Sequence, residues 1–182
     1  MTGLGPRVAV LPETHLSAAF LSESPEATAA LGAGLGERLQ PGDVVALEGE
    51  LGAGKTLFVK GVAAGLGLDP DAVTSPTFTL VHEYRDARGR CRLFHLDLYR
   101  IDCPDALEGI GWDEAMSCRG VAVVEWADRA GAWLPAERLD IRLVVAGETA
   151  RRIMVATRGQ RPREHLEALL GAPSWSVRRL AA

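Results

Sequence analysis

The sequence predicts one α/β domain with a central mixed, mostly parallel sheet, helices on its faces and added β-hairpins. Its 182 residues, with 47% hydrophobic and 24% charged side chains, are typical of one globular domain with a substantial core. Short apolar runs suited to buried strands are interleaved with segments of helical character. One such run is followed by a glycine-rich loop, residues 49–56, and then by a helical segment.

The elements can be assigned in chain order. Residues 1–17 are predicted to be an N-terminal extension, residues 18–172 the domain and residues 173–182 a C-terminal tail. Ser24 and Pro25 are expected to open the first helix, because serine is a favoured N-cap and proline a favoured first helical residue. The predicted elements are a helix over 27–39, a strand over 44–47, a helix over 57–66, a hairpin of 80–84 and 91–99, short helical pieces within 104–116, a strand over 120–126, a hairpin of 139–146 and 152–157, and a helix over 162–170.

The glycine-rich loop matches the pattern G-x-x-x-x-G-K-[ST], which is typical of loops that wrap nucleotide phosphates. Gly49, Gly52 and Gly54 allow backbone N–H groups to turn towards phosphate oxygens, and the helix that follows directs its first amides to the same place. Lys55 is expected to reach the β- and γ-phosphates, and Thr56 to ligate Mg²⁺. The loop therefore predicts a P-loop NTPase-like domain.

Composition supports the importance of this lysine. Of the 20 basic residues only Lys55 and Lys60 are lysines, and one of them occupies the position where a compact ammonium suits phosphate. The net charge of −4 argues against strong binding of nucleic acid by this chain alone. No apolar run approaches the length of about 18 to 20 residues that spans a membrane, and no signal peptide is recognisable. We therefore expect a cytoplasmic protein that does not bind membranes.

Acidic and hydroxyl side chains elsewhere are candidates for the metal and for hydrolysis. Glu125 ends a predicted buried strand and is expected beside the glycine-rich loop, although a surface glutamate at a strand end is the alternative. Asp97 lies between two leucines, where a metal site would compensate its burial; an edge strand with one wet face is the alternative. Thr77 follows Pro76 in a loop that resembles a nucleotide-sensing switch or is an ordinary turn.

Other candidates are weaker. His95 shares a strand face with Asp97, but one histidine and one acid do not define a metal site. Trp126 is expected to be a core or half-buried residue, with stacking on a ligand as the alternative. The arginines around the first predicted hairpin turn are expected to form a solvated face, with a patch for an anionic partner as the alternative. They are Arg85, Arg88, Arg90 and Arg92.

Four segments together resemble the bacterial tRNA threonylcarbamoyladenosine biosynthesis ATPase family TsaE, also called YjeE. They are residues 49–56, 74–80, 95–100 and 124–126, in the family's order and spacing, and the resemblance extends over residues 22–157. It implies an ATP-binding, Mg²⁺-dependent P-loop ATPase, weakly active alone, that drives the cycle of a complex with the TsaB and TsaD proteins. The tRNA would be met indirectly, through the complex, which modifies the adenosine next to the anticodon.

The resemblance also assigns roles to matching positions. It implies that Thr56 and Glu125 ligate Mg²⁺ and that Thr77 lies in a switch-like loop. Asp97 would support hydrolysis through the metal, a water or Lys55, and these three options stay open. Either Arg151 or Arg152 would approach the nucleotide. The residues that would bind ATP are Gly49, Gly52, Ala53, Gly54, Lys55, Thr56 and Leu57 around the phosphates, and Ser22 to Pro25 near the adenine.

Other functional classes remain to be weighed. A P-loop kinase that phosphorylates a small molecule is the main alternative, with the arginine-bearing hairpin as a lid. A nucleotide-responsive binding module without turnover is another. A GTPase is excluded because neither Lys55 nor Lys60 lies in the guanine-recognising pattern N-K-x-D.

Overall fold

The computed structural model describes residues 15–117, 119–172 and 177–180. Within these residues the strands are β1 (Ser17–Ser22), β2 (Val44–Glu48), β3 (Val81–Arg85), β4 (Cys91–Asp97), β5 (Val121–Glu125), β6 (Arg138–Val145), β7 (Arg151–Arg158) and β8 (Arg178–Leu180). The helices are α1 (Pro25–Gly36), α2 (Lys55–Gly65), α3 (Trp112–Ala115) and α4 (Gln160–Leu170). Three 3₁₀ segments, Pro70–Ala72, Pro104–Gly109 and Ala127–Trp133, complete the elements.

All eight strands of the described residues form one sheet, in the order β3-β4-β5-β2-β6-β7-β1-β8. The four central strands β4, β5, β2 and β6 are parallel to one another, whereas the pairs β3–β4, β6–β7, β7–β1 and β1–β8 are antiparallel. The predicted mixed sheet and both predicted hairpins are confirmed. Parallel pairing is, however, confined to the centre, because the hairpins and the two unpredicted strands β1 and β8 each add antiparallel pairs.

The two faces of the sheet carry different layers. Alternation along β2 directs Val45 and Leu47 to the core under α1, α2 and α4, and Val44 and Ala46 to the opposite core. That second core contains Trp112 of α3 and residues of the two longer 3₁₀ segments. Strands β2 and β5 are therefore covered on both sides, which suits their nearly continuous apolar sequences.

Helices α1 and α2 approach so closely that their backbones touch. A Cβ atom on Gly61 would lie 2.1 Å from the carbonyl oxygen of Ala29, and one on Gly65 would lie 2.2 Å from that of Ala33. On the α1 side, a Cβ atom on Gly32 would lie 2.4 Å from the carbonyl oxygen of Phe58. Side chains larger than hydrogen have no room at this contact, so the glycines fix the position of α2 against α1.

The start of α1 lies where the sequence predicts it, and its end does not. Ser24 is the N-cap of α1, accepting a bond from the Ala27 amide at 3.1 Å, as predicted. The helix ends at Gly36 rather than at residue 39, and residues 37–39 continue as a hydrogen-bonded turn. The apolar run at 8–11 lies outside the described residues. Among the helices of the described residues, none has the length and apolar character needed to cross a membrane.

Candidate functional site

A cleft of roughly 270 Å³ lies where the parallel strands β2, β4 and β5 end. The crevice at the carboxyl ends of parallel strands is the usual ligand position in open α/β sheets. Most of the predicted site residues line it: Gly52, Gly54, Lys55, Thr56, Leu57, Thr77, Asp97 and Glu125. Segments that are far apart in the sequence therefore meet in one cleft.

The glycine-rich loop connects β2 to α2 through three residues in the left-handed region. Gly49, Gly52 and Gly54 have φ angles of 148°, 78° and 98°, which side-chain-bearing residues rarely adopt. Gly54 is the N-cap of α2 and contributes no side-chain hydrogen bond, so the first amides of the helix keep their donors for a ligand. Ala53, also in this loop, has a fully buried side chain, so only its backbone is available to a ligand. This loop can accommodate a group of anionic oxygens.

Lys55 is buried and held by the loop itself. Its Nζ donates to the carbonyl oxygens of Gly49 at 2.8 Å and Glu50 at 3.0 Å. Burial lowers the pKa of the Lys55 ammonium, and the carboxylates of Glu125 and Asp97 partly oppose this effect. An anionic ligand would therefore relieve the unfavourable environment of the ammonium.

Glu125 ends β5 and accepts two hydrogen bonds at one oxygen. The hydroxyl of Thr56 lies 2.9 Å from Oε1, and Nε2 of His95 lies 2.8 Å from the same atom. A threonine hydroxyl next to a carboxylate is the kind of hard oxygen pair that Mg²⁺ prefers. Within the described part of the chain, no three His, Cys, Asp or Glu side chains converge on a metal position.

His95, a weak candidate by sequence, lies in the site because of the sheet register. Asp97 lies opposite Glu125 in the parallel β4–β5 pair, and His95 is two residues earlier on the same face. The imidazole therefore lies on the same face of the sheet as the two acids, two residues further from the carboxyl ends of the strands, and within hydrogen-bond reach of Glu125. The two-residue spacing of His95 and Asp97 in the sequence already indicated that they share a strand face. That Glu125 is the hydrogen-bond partner of His95 follows only from the pairing of β4 with β5.

Asp97 is buried, and its carboxylate is fully engaged by the protein. Oδ2 accepts bonds from the hydroxyls of Ser75 at 3.0 Å and Thr77 at 2.6 Å, and Oδ1 accepts the amide of Tyr99 at 2.9 Å. The acid therefore fastens the predicted switch-like loop to the end of β4. These three hydrogen bonds compensate in part for the burial of the carboxylate.

Arg151, at the start of β7, reaches the glycine-rich loop. Its Nε donates to the carbonyl oxygen of Ala53 at 2.9 Å and a terminal nitrogen donates to that of Gly52 at 3.2 Å. Arg152 points to the other side of the sheet and is exposed. The structure thus brings Arg151, and not Arg152, to the predicted phosphate site.

The segment predicted to lie near an adenine is connected to the site through Arg151. Ser22 pairs with Arg151 across the β1–β7 ladder. The Ser22 hydroxyl is fully buried and bonded to Thr28 Oγ1 and the Ser24 carbonyl, both at 2.8 Å, whereas Pro25 is exposed. The side chain of Ser22 therefore organises the start of α1, and its predicted part in adenine binding stays a prediction.

Aromatic and apolar side chains surround the mouth of the cleft. Trp126 is half-buried, as expected, and its ring lies 4.0 Å from Lys55 Nζ and 5.1 Å from the ring of Tyr99. Leu51 and Phe78 are 78% and 83% exposed. The arginine-bearing hairpin is instead solvated and internally paired, Arg85 with Glu83 and Arg90 with Asp86.

Comparison with known proteins agrees with this geometry. The chain is 45% identical over 138 residues to the tRNA threonylcarbamoyladenosine biosynthesis protein TsaE of Bacillus subtilis, covering 76% of this chain and 84% of that protein. It is 43% identical over 136 residues to the protein of the same name from Treponema pallidum, covering 75% and 98%. The crystal structure of Bacillus subtilis YdiB superposes with a TM-score of 0.71 at 38% identity, covering 86% of this chain and 95% of that one.

The matched region contains the whole cleft. Residues 22–153 match the family described as threonylcarbamoyl adenosine biosynthesis protein TsaE. They include the glycine-rich loop, both acids and Arg151, and they leave out most of β7, α4 and β8. The chain belongs to the TsaE family.

Proposed function

We propose that this protein binds and hydrolyses ATP with Mg²⁺ as a component of the tRNA threonylcarbamoyladenosine machinery. The observation that carries the proposal is the hydrogen bond between Thr56 and Glu125, made directly beside the buried Lys55 of the glycine-rich loop. This bond brings together two oxygen atoms of the type that ligate Mg²⁺, next to a loop suited to phosphates, and so supports the proposal. The lack of the pattern N-K-x-D favours ATP over GTP.

Thr56 and Glu125 would hold the magnesium ion, which would neutralise charge on the β- and γ-phosphates. Lys55 would exchange the carbonyl oxygens of Gly49 and Glu50 for phosphate oxygens, keeping its ammonium paired throughout. Arg151 braces the carbonyl side of the same loop, so that the amides face the ligand.

Hydrolysis needs a water aligned on the terminal phosphate, and the switch-like loop is the element placed to do this. Thr77 is tied to Asp97 at 2.6 Å, so the position of its loop depends on the acid at the end of β4. Metal, water and Lys55 stay open as direct partners of Asp97, and we add an indirect role to them: Asp97 would position the loop that would face the γ-phosphate. Its bonds to two hydroxyls and one amide support this added role.

The proposed partners are the TsaB and TsaD proteins, with tRNA met through them in the cytoplasm. The exposed Leu51 belongs to the glycine-rich loop and the exposed Phe78 to the switch-like loop. Large apolar side chains at the mouth of a cleft favour coverage by another protein. A partner seated there would sense whether ATP is bound, which would link assembly of the complex to the nucleotide state.

The proposal is tested by measuring ATP hydrolysis of the purified protein alone and with TsaB and TsaD. We expect slow turnover alone, stimulation by the partners, and loss of turnover in Lys55→Ala and Glu125→Ala. Lys60→Ala, which changes the other lysine of α2, should retain wild-type turnover.

Two outcomes would count against this function. Nucleotide binding without turnover in the presence of both partners would favour a binding module. ADP production that depended on an added small-molecule acceptor would favour the kinase alternative, for which the paired arginines of the β3–β4 hairpin offer little support.

A further inference from the structure

His95 is a fully buried histidine whose ring makes one polar contact in the described structure. Its Nε2 lies 2.8 Å from Oε1 of Glu125. Its other ring nitrogen, Nδ1, is buried without a hydrogen-bond partner among the described residues. An ionised carboxylate only accepts hydrogen bonds, so the proton of a neutral ring lies on Nε2 and is donated to Glu125.

Packing alone does not explain a histidine at this position. His95 lies opposite Val123 in the β4–β5 ladder, and the preceding residue on the same face is the buried Leu93. An apolar side chain would fill this layer without leaving a ring nitrogen unpaired, which is unfavourable in a dry interior. The interaction that distinguishes histidine from leucine here is the bond to Glu125.

We propose that His95 is a positioning residue that orients Glu125 for Mg²⁺, an inference that rests on the proposed nucleotide site. Two donors hold Oε1: the hydroxyl of Thr56 and the imidazole of His95. Thr56 is itself expected to ligate the metal, whereas His95 stays behind the carboxylate. His95 therefore fixes the side-chain rotamer of Glu125 from the protein side and directs the carboxylate towards the cleft.

Residues that hydrogen-bond to metal ligands commonly change metal affinity by about 10- to 100-fold when they are replaced. Magnesium should accordingly enhance nucleotide binding less in a variant that lacks the donor. Nucleotide binding without metal depends on Lys55 and the loop amides, and should be retained. The two effects are separable by measuring ATP affinity once with Mg²⁺ and once with EDTA.

The test compares His95→Leu, which removes the donor, with His95→Gln, whose amide nitrogen can take the place of Nε2. We expect the ratio of the EDTA to the Mg²⁺ dissociation constant to fall by about 10-fold or more in His95→Leu. His95→Gln should restore most of that ratio. His95→Phe keeps an aromatic ring without a donor and replaces the leucine variant if the latter does not fold.

The matched control is His165→Leu. His165 is also buried and lies 2.8 Å from a carboxylate, that of Asp43, but it is part of α4 and outside the cleft. Its replacement should lower the melting temperature and leave the magnesium ratio unchanged.

The measured magnesium ratios separate the positioning role of His95 from the proposed ATP-binding function. A wild-type ratio in His95→Leu would overturn the positioning role while leaving the proposed function intact. An equal loss in His95→Gln and His95→Leu would show that the ring acts through its shape, which also overturns it. A wild-type protein that binds no ATP under either condition would overturn the proposed function and this inference together.

Discussion

The Nζ atom of Lys55 lies 4.0 Å from the ring centre of Trp126. The cation is thus held between an aromatic face and the carbonyl oxygens of Gly49 and Glu50, in a buried environment that lowers its pKa. Trp126 directly follows Glu125 and has a left-handed backbone conformation, with a φ angle of 57°. Its ring faces Lys55 of the glycine-rich loop. In the proposed nucleotide complex, phosphate oxygens would take the place of the two carbonyl oxygens.

The lowered pKa of Lys55 predicts a pH dependence of ATP affinity on the alkaline side. Phosphate favours the protonated ammonium, so binding raises the pKa of Lys55 above its lowered value in the free protein. Between these two values binding takes up a proton, and affinity falls as the pH rises. Below the free-protein pKa the lysine is already charged and the dependence vanishes.

Calorimetry in buffers of different ionisation enthalpy would count the proton taken up. Lys55→Arg should lose this dependence, because a guanidinium stays charged throughout the range. Lys60→Arg should keep it. An affinity that is flat across the alkaline range in the wild-type protein would contradict the assignment of Lys55 to the phosphates.

Arg151 and Arg152 are predicted to behave differently although they are neighbours. Arg151→Ala removes the bonds to Ala53 and Gly52 and should weaken ATP binding by about 10-fold or more, since hydrogen bonds from charged groups contribute about 1.5 to 3 kcal/mol. Arg152→Ala should leave the affinity unchanged, because its side chain is exposed on the other face of the sheet. Equal effects of the two substitutions on a measured ATP dissociation constant would contradict the assignment.

Asp97→Asn should loosen the switch-like loop. An amide has one accepting oxygen, so the variant cannot keep all the bonds to Ser75, Thr77 and the Tyr99 amide. We expect faster hydrogen exchange in residues 74–80 and a loss of unfolding free energy of about 1 to 3 kcal/mol. Asp86→Asn is the control, because it makes the same chemical change at an acid that bonds to Arg90 in the β3–β4 hairpin and lies outside residues 74–80. Unchanged exchange in Asp97→Asn would show that the loop is held by other contacts.

The sequence predicted two kinds of feature in the candidate site. One kind follows from a local pattern of residues, and the other from the rule that ligands bind at the carboxyl ends of parallel strands. The glycine-rich loop is continuous in the chain, and Glu125 follows an apolar run that could only be a buried strand. The contact of His95 with Glu125 and the approach of Arg151, rather than Arg152, to the glycine-rich loop depended instead on which strands pair and in which register. Strand β8 was missed for the same reason, because its three residues acquire a partner only once β1 forms an edge.

The contact between α1 and α2 provides a prediction about stability in which two effects have opposite signs. Helix propensity alone favours alanine over glycine in a helix interior by about 1 kcal/mol. At Gly61, however, the added Cβ atom would lie 2.1 Å from the carbonyl oxygen of Ala29, a backbone atom that cannot rotate away. Overpacking of a tight contact commonly costs about 1 to 3 kcal/mol, so Gly61→Ala should be destabilised despite the gain in propensity.

Chemical denaturation of Gly61→Ala and Gly109→Ala would measure this balance. Gly109 has open space around its Cβ position and lies in a 3₁₀ segment away from α2, so its substitution should change stability little. Because α2 carries Lys55 and Thr56 at its first turn, a shift of the helix should also weaken ATP binding in Gly61→Ala. An increase in the unfolding free energy of Gly61→Ala would mean that the helices can separate without cost, and that the glycines do not fix the position of the glycine-rich loop.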